Sequence, residues 1–240
     1  MSSTLHISQS PIHVAKNVAS DIAAMVVRGK PFHIALSGGS TPKLLFEQLA
    51  ANYRESIPWG DVHLWWGDER CVPPSDEQSN YRMTKESLLK GVILPPGNVH
   101  RIKGESDPEE EAKRYASEMA KGIPTQDGLP IFDLVLLGLG TDGHTASIFP
   151  PQMDLLTVPE WTAVAIHPES GQQRISITGK VINRARKVAF LVTGESKAEK
   201  VSEIFEEKDG SEVYPASHIA PSPGDLIWYI DRAAAKMLRF

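Results

Sequence analysis

Two ionisable side chains flank a glycine at the end of an apolar run: Asp142-Gly143-His144 in "FDLVLLGLGTDGHTASIFPP". A histidine there can take and return a proton near neutrality, and a neighbouring carboxylate can orient its ring. The same stretch spells Gly138-x-Gly140-x-x-Gly143, the spacing of a dinucleotide-binding turn. Such a turn needs a sizeable helix directly after it, whose N-terminus holds the pyrophosphate. Pro150 and Pro151 stop any helix within about two turns of Gly143. Glu160 precedes the next strand instead of ending it, so the acidic residue that would hold a ribose has no candidate. The glycines are therefore read as a strand-end turn, and Asp142 and His144 as the chemistry.

Two further loops carry reactive or ligand-binding types. "LSGGSTP" (36–42) offers free backbone N–H groups at Gly38 and Gly39, hydroxyls at Ser40 and Thr41, and a helix start. That combination suits a phosphate dianion or serves as a plain helix cap. No Gly-Lys-Ser/Thr follows at Walker spacing, which disfavours a nucleoside triphosphate. "WWGDERCVPPSDEQSNYRM" (65–83) places Asp68, Glu69 and Arg70 where a strand leaves the core. Arg70 can grip an oxyanion or phosphate bidentately. Cys71 has no general base beside it and is read as buried and inert. "GESKA" (194–198) fails as a nucleophile elbow at its last position, which disfavours a serine acyl-enzyme. His13, His63 and the other scattered histidines show no ligand spacing, so neither metal nor cofactor is expected.

The elements that must position these groups alternate in type. Helices are expected over 11–28, from Pro42 onward, over 81–90, 107–119, 195–207 and 232–240. Strands are expected over 32–37, 61–66, 99–102, 132–140, 161–167, 174–178, 187–194 and 225–231, with an irregular loop from 67 to 80. Strands alternating with helices imply an α/β, Rossmann-like fold: a largely parallel twisted sheet with helices on both faces. The strands near 161–178 lack a long helix between them, which predicts a smaller, partly antiparallel substructure. Ligands in such folds bind beyond the carboxyl ends of the strands. The loops after Leu36, Trp66 and Leu137 are the ones expected to converge there.

The chain has 240 residues, 41% hydrophobic and 23% charged, with a net charge of −5. That suits a single domain spanning 1–240. No basic tract is interleaved with aromatics, so nucleic acid is not an expected partner. No run of about 18 apolar residues occurs, and the first residues do not read as a signal peptide. One cysteine makes no intrachain disulfide. A cytoplasmic protein, monomeric or weakly dimeric, is the expectation. An anionic ligand would need a local cationic pocket, since overall charge does not attract it.

Taken together, "ALSGGSTP", "WWGDERCVPPSDEQSNY" and "FDLVLLGLGTDGHTASIFP" resemble the 6-phosphogluconolactonases of the pentose phosphate pathway, in the same order and over nearly the whole chain. The wider superfamily includes glucosamine-6-phosphate deaminases, which resemble "GHIAFNEP" after the glycine. Here the run is "GHTASIFP", and Phe149 stands at the position of their glutamate. The resemblance implies that the 38–41 loop, Arg174 and Lys197 hold the phosphate of a phosphorylated sugar lactone. Lys197 sits in the first turn of an expected helix, unfavourable against the dipole unless an anion lies there. It also implies His144 as general base, Asp142 or Asp68 orienting the imidazole or water, and Arg70 or backbone N–H groups near Gly39 stabilising the oxyanion. A deaminase/isomerase and a non-catalytic sugar-phosphate sensor remain as alternatives.

Overall fold

A computed structural model describes residues 3–239. Short, fully apolar runs form its centre. Strand β2 (Phe32–Leu36) and strand β8 (Leu134–Leu137) are buried at every position, as parallel strands covered on both faces must be. Around them lie β1 (Thr4–Ser8), β3 (Val62–Trp66), β5 (Val99–His100), β11 (Lys187–Val192) and β12 (Asp225–Asp231). The seven form one sheet in the order β1-β12-β11-β8-β2-β3-β5, with every pairing parallel. The chain runs outward from β2 to β3 and β5, then returns to the other side of β2 at β8. The β2–β8 boundary is therefore the topological switch point, where the carboxyl ends of the strands leave a crevice.

Helix α1 (Pro11–Met25) packs against α2 (Ser40–Asn52) and β12. It ends three residues before the expected Arg28, because Val26 turns extended. Helix α3 (Asn80–Thr84) continues as a wider turn to Leu89. Helix α4 (Pro108–Gly122) is capped by Asp107, which accepts from the N–H groups of Glu109 and Glu110, both at 3.1 Å.

The expected irregular loop after Trp66 needs correction, because Asp68–Arg70 is a strand, β4. Gly67 donates to Leu36 O at 2.8 Å and accepts from Ile177 N at 2.8 Å. At that residue the chain passes from the large sheet into a second one. The second sheet is antiparallel, in the order β4-β10-β9, with β9 at Thr162–Ile166 and β10 at Gln173–Ile177. This is the smaller substructure expected from residues 161–178. Two-residue strands β6 (Thr125–Gln126) and β7 (Leu129–Pro130) form a hairpin. A short helix α5 (Gly179–Ile182) comes after β10.

Two further expectations shift. The segment 195–207 begins with a 3-10 turn, Glu195–Lys197, before α6 (Ala198–Phe205). The helix expected over 232–240 does not form among its described residues, which make successive turns. Side chains from α6 and its end hold the last described residues instead. Ser202 Oγ donates to Met237 O at 3.1 Å, and Glu206 Oε1 accepts from Arg239 N at 2.7 Å.

A row of imidazoles crosses β2, β3 and β5. His33 on β2 stacks on His63 of β3 at 4.7 Å, and His63 on His100 of β5 at 5.5 Å. Trp65 lies flat on His100 at 3.8 Å, and its indole N–H reaches His33 Nδ1 at 3.3 Å. Glu118 of α4 bonds His100 at 2.8 Å. Burial, and then the charges of His63 and His100, push His33 down to about 4. Its folded value lies below its ordinary one of about 6.5, so the unfolded chain binds the proton more readily. The stability this site contributes is complete above about pH 6.5 and lost as the pH falls toward 4. Urea midpoints measured from pH 7 to 4 should therefore fall more steeply for the wild type than for His33→Asn.

Candidate active site

Beyond Leu137 the chain closes a tight loop: Gly140 N donates to His144 O at 2.9 Å, and Gly143 N donates to Gly140 O at 3.2 Å. Inside it, Asp142 Oδ1 accepts from the His144 backbone at 3.2 Å and from its Nδ1 at 2.6 Å. A carboxylate can only accept, so Nδ1 carries a proton, and in the neutral ring Nε2 keeps its lone pair. The glycines make this possible by their lack of a side chain. A Cβ on Gly140 would stand 2.2 Å from His144 Nδ1 and 2.3 Å from Asp142 Oδ1. Gly143 has φ +83, which an L side chain adopts only under strain. Thr145 Oγ1 fastens the loop to Gly138 O at 2.9 Å, and Ala146 takes φ +48 at the rim. The chain then forms a Thr145–Ile148 bridge and a 3-10 segment from Pro150, so no helix N-terminus stands behind Gly143.

Phe149 is fully buried beneath the pair. Its ring centre lies 4.7 Å from that of His144 and 5.1 Å from that of His167, and the Arg174 guanidinium sits over it at 5.4 Å. One apolar ring therefore seats both the histidine and a cation.

The small sheet supplies the opposite wall. On β4, alternate residues point to opposite sides. Glu69 points into the protein, where it accepts from Arg70 N at 2.9 Å, Asn80 N at 2.7 Å, Tyr81 N at 2.8 Å and Ser79 Oγ at 3.0 Å. Burial raises this carboxyl, and those four hydrogen bonds oppose the rise. Glu69 thereby pins the loop 71–79 and the start of α3. Asn80 Nδ2 donates to Asp68 O at 2.9 Å, and the Asn80 amide fills the space where a Cβ on Gly38 would stand. Asp68 accepts from Ser147 Oγ at 2.7 Å.

Arg70 and Arg174 face each other directly across β4 and β10. Like charges so placed repel. The Nε atoms of both are buried with no partner among the described residues, although Arg70 Nη1 donates to Gln78 O. Burial first, and then Arg70, hold the Arg174 guanidinium below its ordinary value, with Asp68 and Asp142 opposing. Burial likewise lowers Lys197, again against Asp142. Three cations, Arg70, Arg174 and Lys197, thus line one site, and burial disfavours the charged form of two of them, Arg174 and Lys197.

These walls enclose a cavity of about 180 Å³ at the β2–β8 switch point. Of the residues singled out in the sequence, Gly38, Gly39, Asp68, Arg70, His144, Arg174 and Lys197 line it. Asp142 stands behind His144. Ser40 is exposed, and Thr41 Oγ1 is engaged with Thr193 Oγ1 at 2.7 Å, so their hydroxyls lie outside the lining. Gly39, at φ +107, caps α2 without a side-chain acceptor, which leaves the first N–H groups of that helix open. Sequence reasoning missed Asn80, Ser37 and Ala146 as lining residues. Asn80 lies within the 65–83 stretch, but nothing local marks an asparagine as turned inward. Cys71 is not a nucleophile here, since burial and then Glu69 push its thiol up to about 11. Among the described residues, no three His, Cys, Asp or Glu have metal-binding geometry.

The model of the glucosamine-6-phosphate isomerases/6-phosphogluconolactonase family matches residues 8–228. The 6-phosphogluconolactonase of Haemophilus influenzae is 44% identical over 227 residues, covering 94% of this chain and 96% of its own. The solved 6-phosphogluconolactonase of Trypanosoma brucei superposes with a TM-score of 0.88 at 27% identity, covering 99% of both chains. A monomeric glucosamine-6-phosphate deaminase superposes with a TM-score of 0.82 at 21% identity, covering 98% of this chain and 99% of its own. That last likeness is one of fold.

Burial would raise the Asp142 carboxyl, but the hydrogen bond and charge of His144 outweigh it and bring it down to about 2. In His144→Ala the opposing interactions with the ring are gone. A carbon-13 NMR titration of Asp142 should then move from about 2 in the wild type toward the ordinary value of about 4. An unmoved titration would mean that the ring does not set the carboxylate's charge.

Proposed function

The chain belongs to the glucosamine-6-phosphate isomerase/6-phosphogluconolactonase family, and from that premise we propose that it is a lactone hydrolase opening 6-phospho-D-glucono-1,5-lactone to 6-phospho-D-gluconate. The observation that carries this reading is the sharing of one cavity: His144, with its proton held on Nδ1 by Asp142, lines the same space as Arg70, Arg174 and Lys197. A base and an anion site within one sugar's length suit a cyclic ester that carries a remote phosphate.

Arg174, Lys197 and the open N–H groups at the start of α2 hold the phosphate. That binding energy fixes the ring so that C1 lies against His144. His144 Nε2 takes a proton from water as the oxygen attacks the carbonyl carbon. The charge that develops on the carbonyl oxygen is met by Arg70. As the tetrahedral carbon collapses, the C1–O5 bond breaks, and the imidazolium returns its proton to the departing ring oxygen. Asp142 stabilises the imidazolium in between. Asp68, tied to Ser147 and Asn80, orients the water or a ring hydroxyl. The ester is already activated, so no acyl-enzyme is required.

A deaminase reading would need a proton-carrying group near the reacting carbon, where this chain has the ring of Phe149, which carries none. Acid release from freshly prepared lactone, measured beside ammonia release from glucosamine 6-phosphate, separates the two. The first should be catalysed and the second absent. His144→Ala should lower turnover by about 10²- to 10⁴-fold with little change in thermal stability. Arg174→Ala and Lys197→Ala should instead raise KM, each by about 10- to 100-fold. Wild-type turnover in the histidine variant would end the mechanism, and unchanged KM in both cation variants would end the phosphate assignment.

A further inference from the structure

The catalytic turn has a back as well as a face, and the back is covered by a residue that the lactone chemistry does not use. Tyr214 lies against Gly143: a Cβ on that glycine would stand 2.4 to 2.6 Å from the ring and Cβ of Tyr214. The turn after Tyr214 is bonded to the same glycine, with Ala216 N donating to Gly143 O at 3.2 Å. Tyr214 is held in turn from α6. Lys200 Nζ donates to its hydroxyl at 2.9 Å, sits over its ring at 4.6 Å and bonds Glu203 at 2.6 Å. Helix α6 also begins directly after Lys197, which lines the cavity.

We propose that Tyr214 is a positioning residue that holds the Asp142-Gly143-His144 turn in register with the cation carried at the start of α6. The physical case runs through Gly143. A glycine at φ +83 is free to leave that conformation, and its neighbours carry the base and its orienting carboxylate. Rotation there would break the 2.6 Å Asp142–His144 bond and release the ring to the other tautomer. The tyrosine packs directly on the side of Gly143 where a side chain would stand, and the Ala216 N–H bond fixes the glycine's carbonyl. Because the lysine that orders Tyr214 lies one turn after Lys197, the two ends of a bound substrate are referred to one helix. Tyr214 touches neither substrate nor the reacting atoms. It acts through the turn.

The kinetic half of this inference rests on the lactonase reading, and the spectroscopic half does not. Long-range proton–nitrogen NMR of the His144 imidazole, assigned with His144→Gln, reads the tautomer directly. In the wild type and in Tyr214→Phe, which keeps the ring, the proton should stay on Nδ1. In Tyr214→Ala it should be shared between the two nitrogens. The alanine variant should also lose about 100-fold in kcat with KM for the lactone little changed, and Tyr214→Phe should recover most of that loss. Should Tyr214→Ala fail to fold by circular dichroism, Tyr214→Leu gives the same two readings. A folded variant without the ring that keeps the Nδ1 proton and wild-type kcat overturns the proposal, even if its melting temperature falls. Should the wild type hydrolyse no lactone, the lactonase reading fails, and the tautomer measurement still decides the role of Tyr214.

Discussion

The hydrogen bond from His144 Nδ1 to Asp142 depends on space left clear beside it at Gly140. The two residues are separated by one glycine, so the chain must double back within three residues to bring their side chains together. It does so by running Gly140 edge-on against the pair, where a methyl group would overlap both partners, and by turning Gly143 into a conformation that other residues avoid. The carboxylate then settles the tautomer, and the tautomer decides which nitrogen faces the cavity. Each step is local, but none holds without the β8 end, the Thr145 fastening and the Phe149 floor that fix the loop as a whole.

The second constraint is electrostatic and runs against stability. Arg70 and Arg174 are placed opposite each other across two strands, with buried Nε atoms that have no hydrogen-bond partner among the described residues. A fold seeking only stability would turn one of them to water. Here the surrounding framework keeps both inward. Glu69 holds β4 and the loop after it through four hydrogen bonds, and Phe149 supports Arg174 from below. Under the lactonase reading a dianion entering between them would relieve that repulsion, and its binding energy would be available to position the reacting carbon.

Much of the frame is legible in the residues because it arises from periodicity. Buried parallel strands such as "FHIAL" and "LVLL" are runs dominated by apolar residues, and the prolines after Phe149 rule out a dinucleotide helix. The Asp142/His144 pair stands out by residue type and place. The hidden part depends on contacts between distant segments. Asp68–Arg70 looks like a charged loop, since three consecutive charges have no strand pattern; it becomes a strand because β10 offers it an edge. Asn80 faces the cavity because Glu69 pulls its backbone inward. Gly140 looks like a phosphate-approach glycine and instead clears room for the dyad. In place of the expected C-terminal helix the chain makes turns held to α6 by Ser202 and Glu206, contacts that no propensity scale contains.

A crystal structure with 6-phospho-D-gluconate bound decides whether one cavity holds the phosphate at the cations and the lactone carbon at His144. The expected pose puts a C1 carboxylate oxygen within about 3.2 Å of His144 Nε2, and the phosphate in hydrogen-bond reach of Arg174 and Lys197. A product lying the other way round, or bound outside this cavity, would contradict that arrangement.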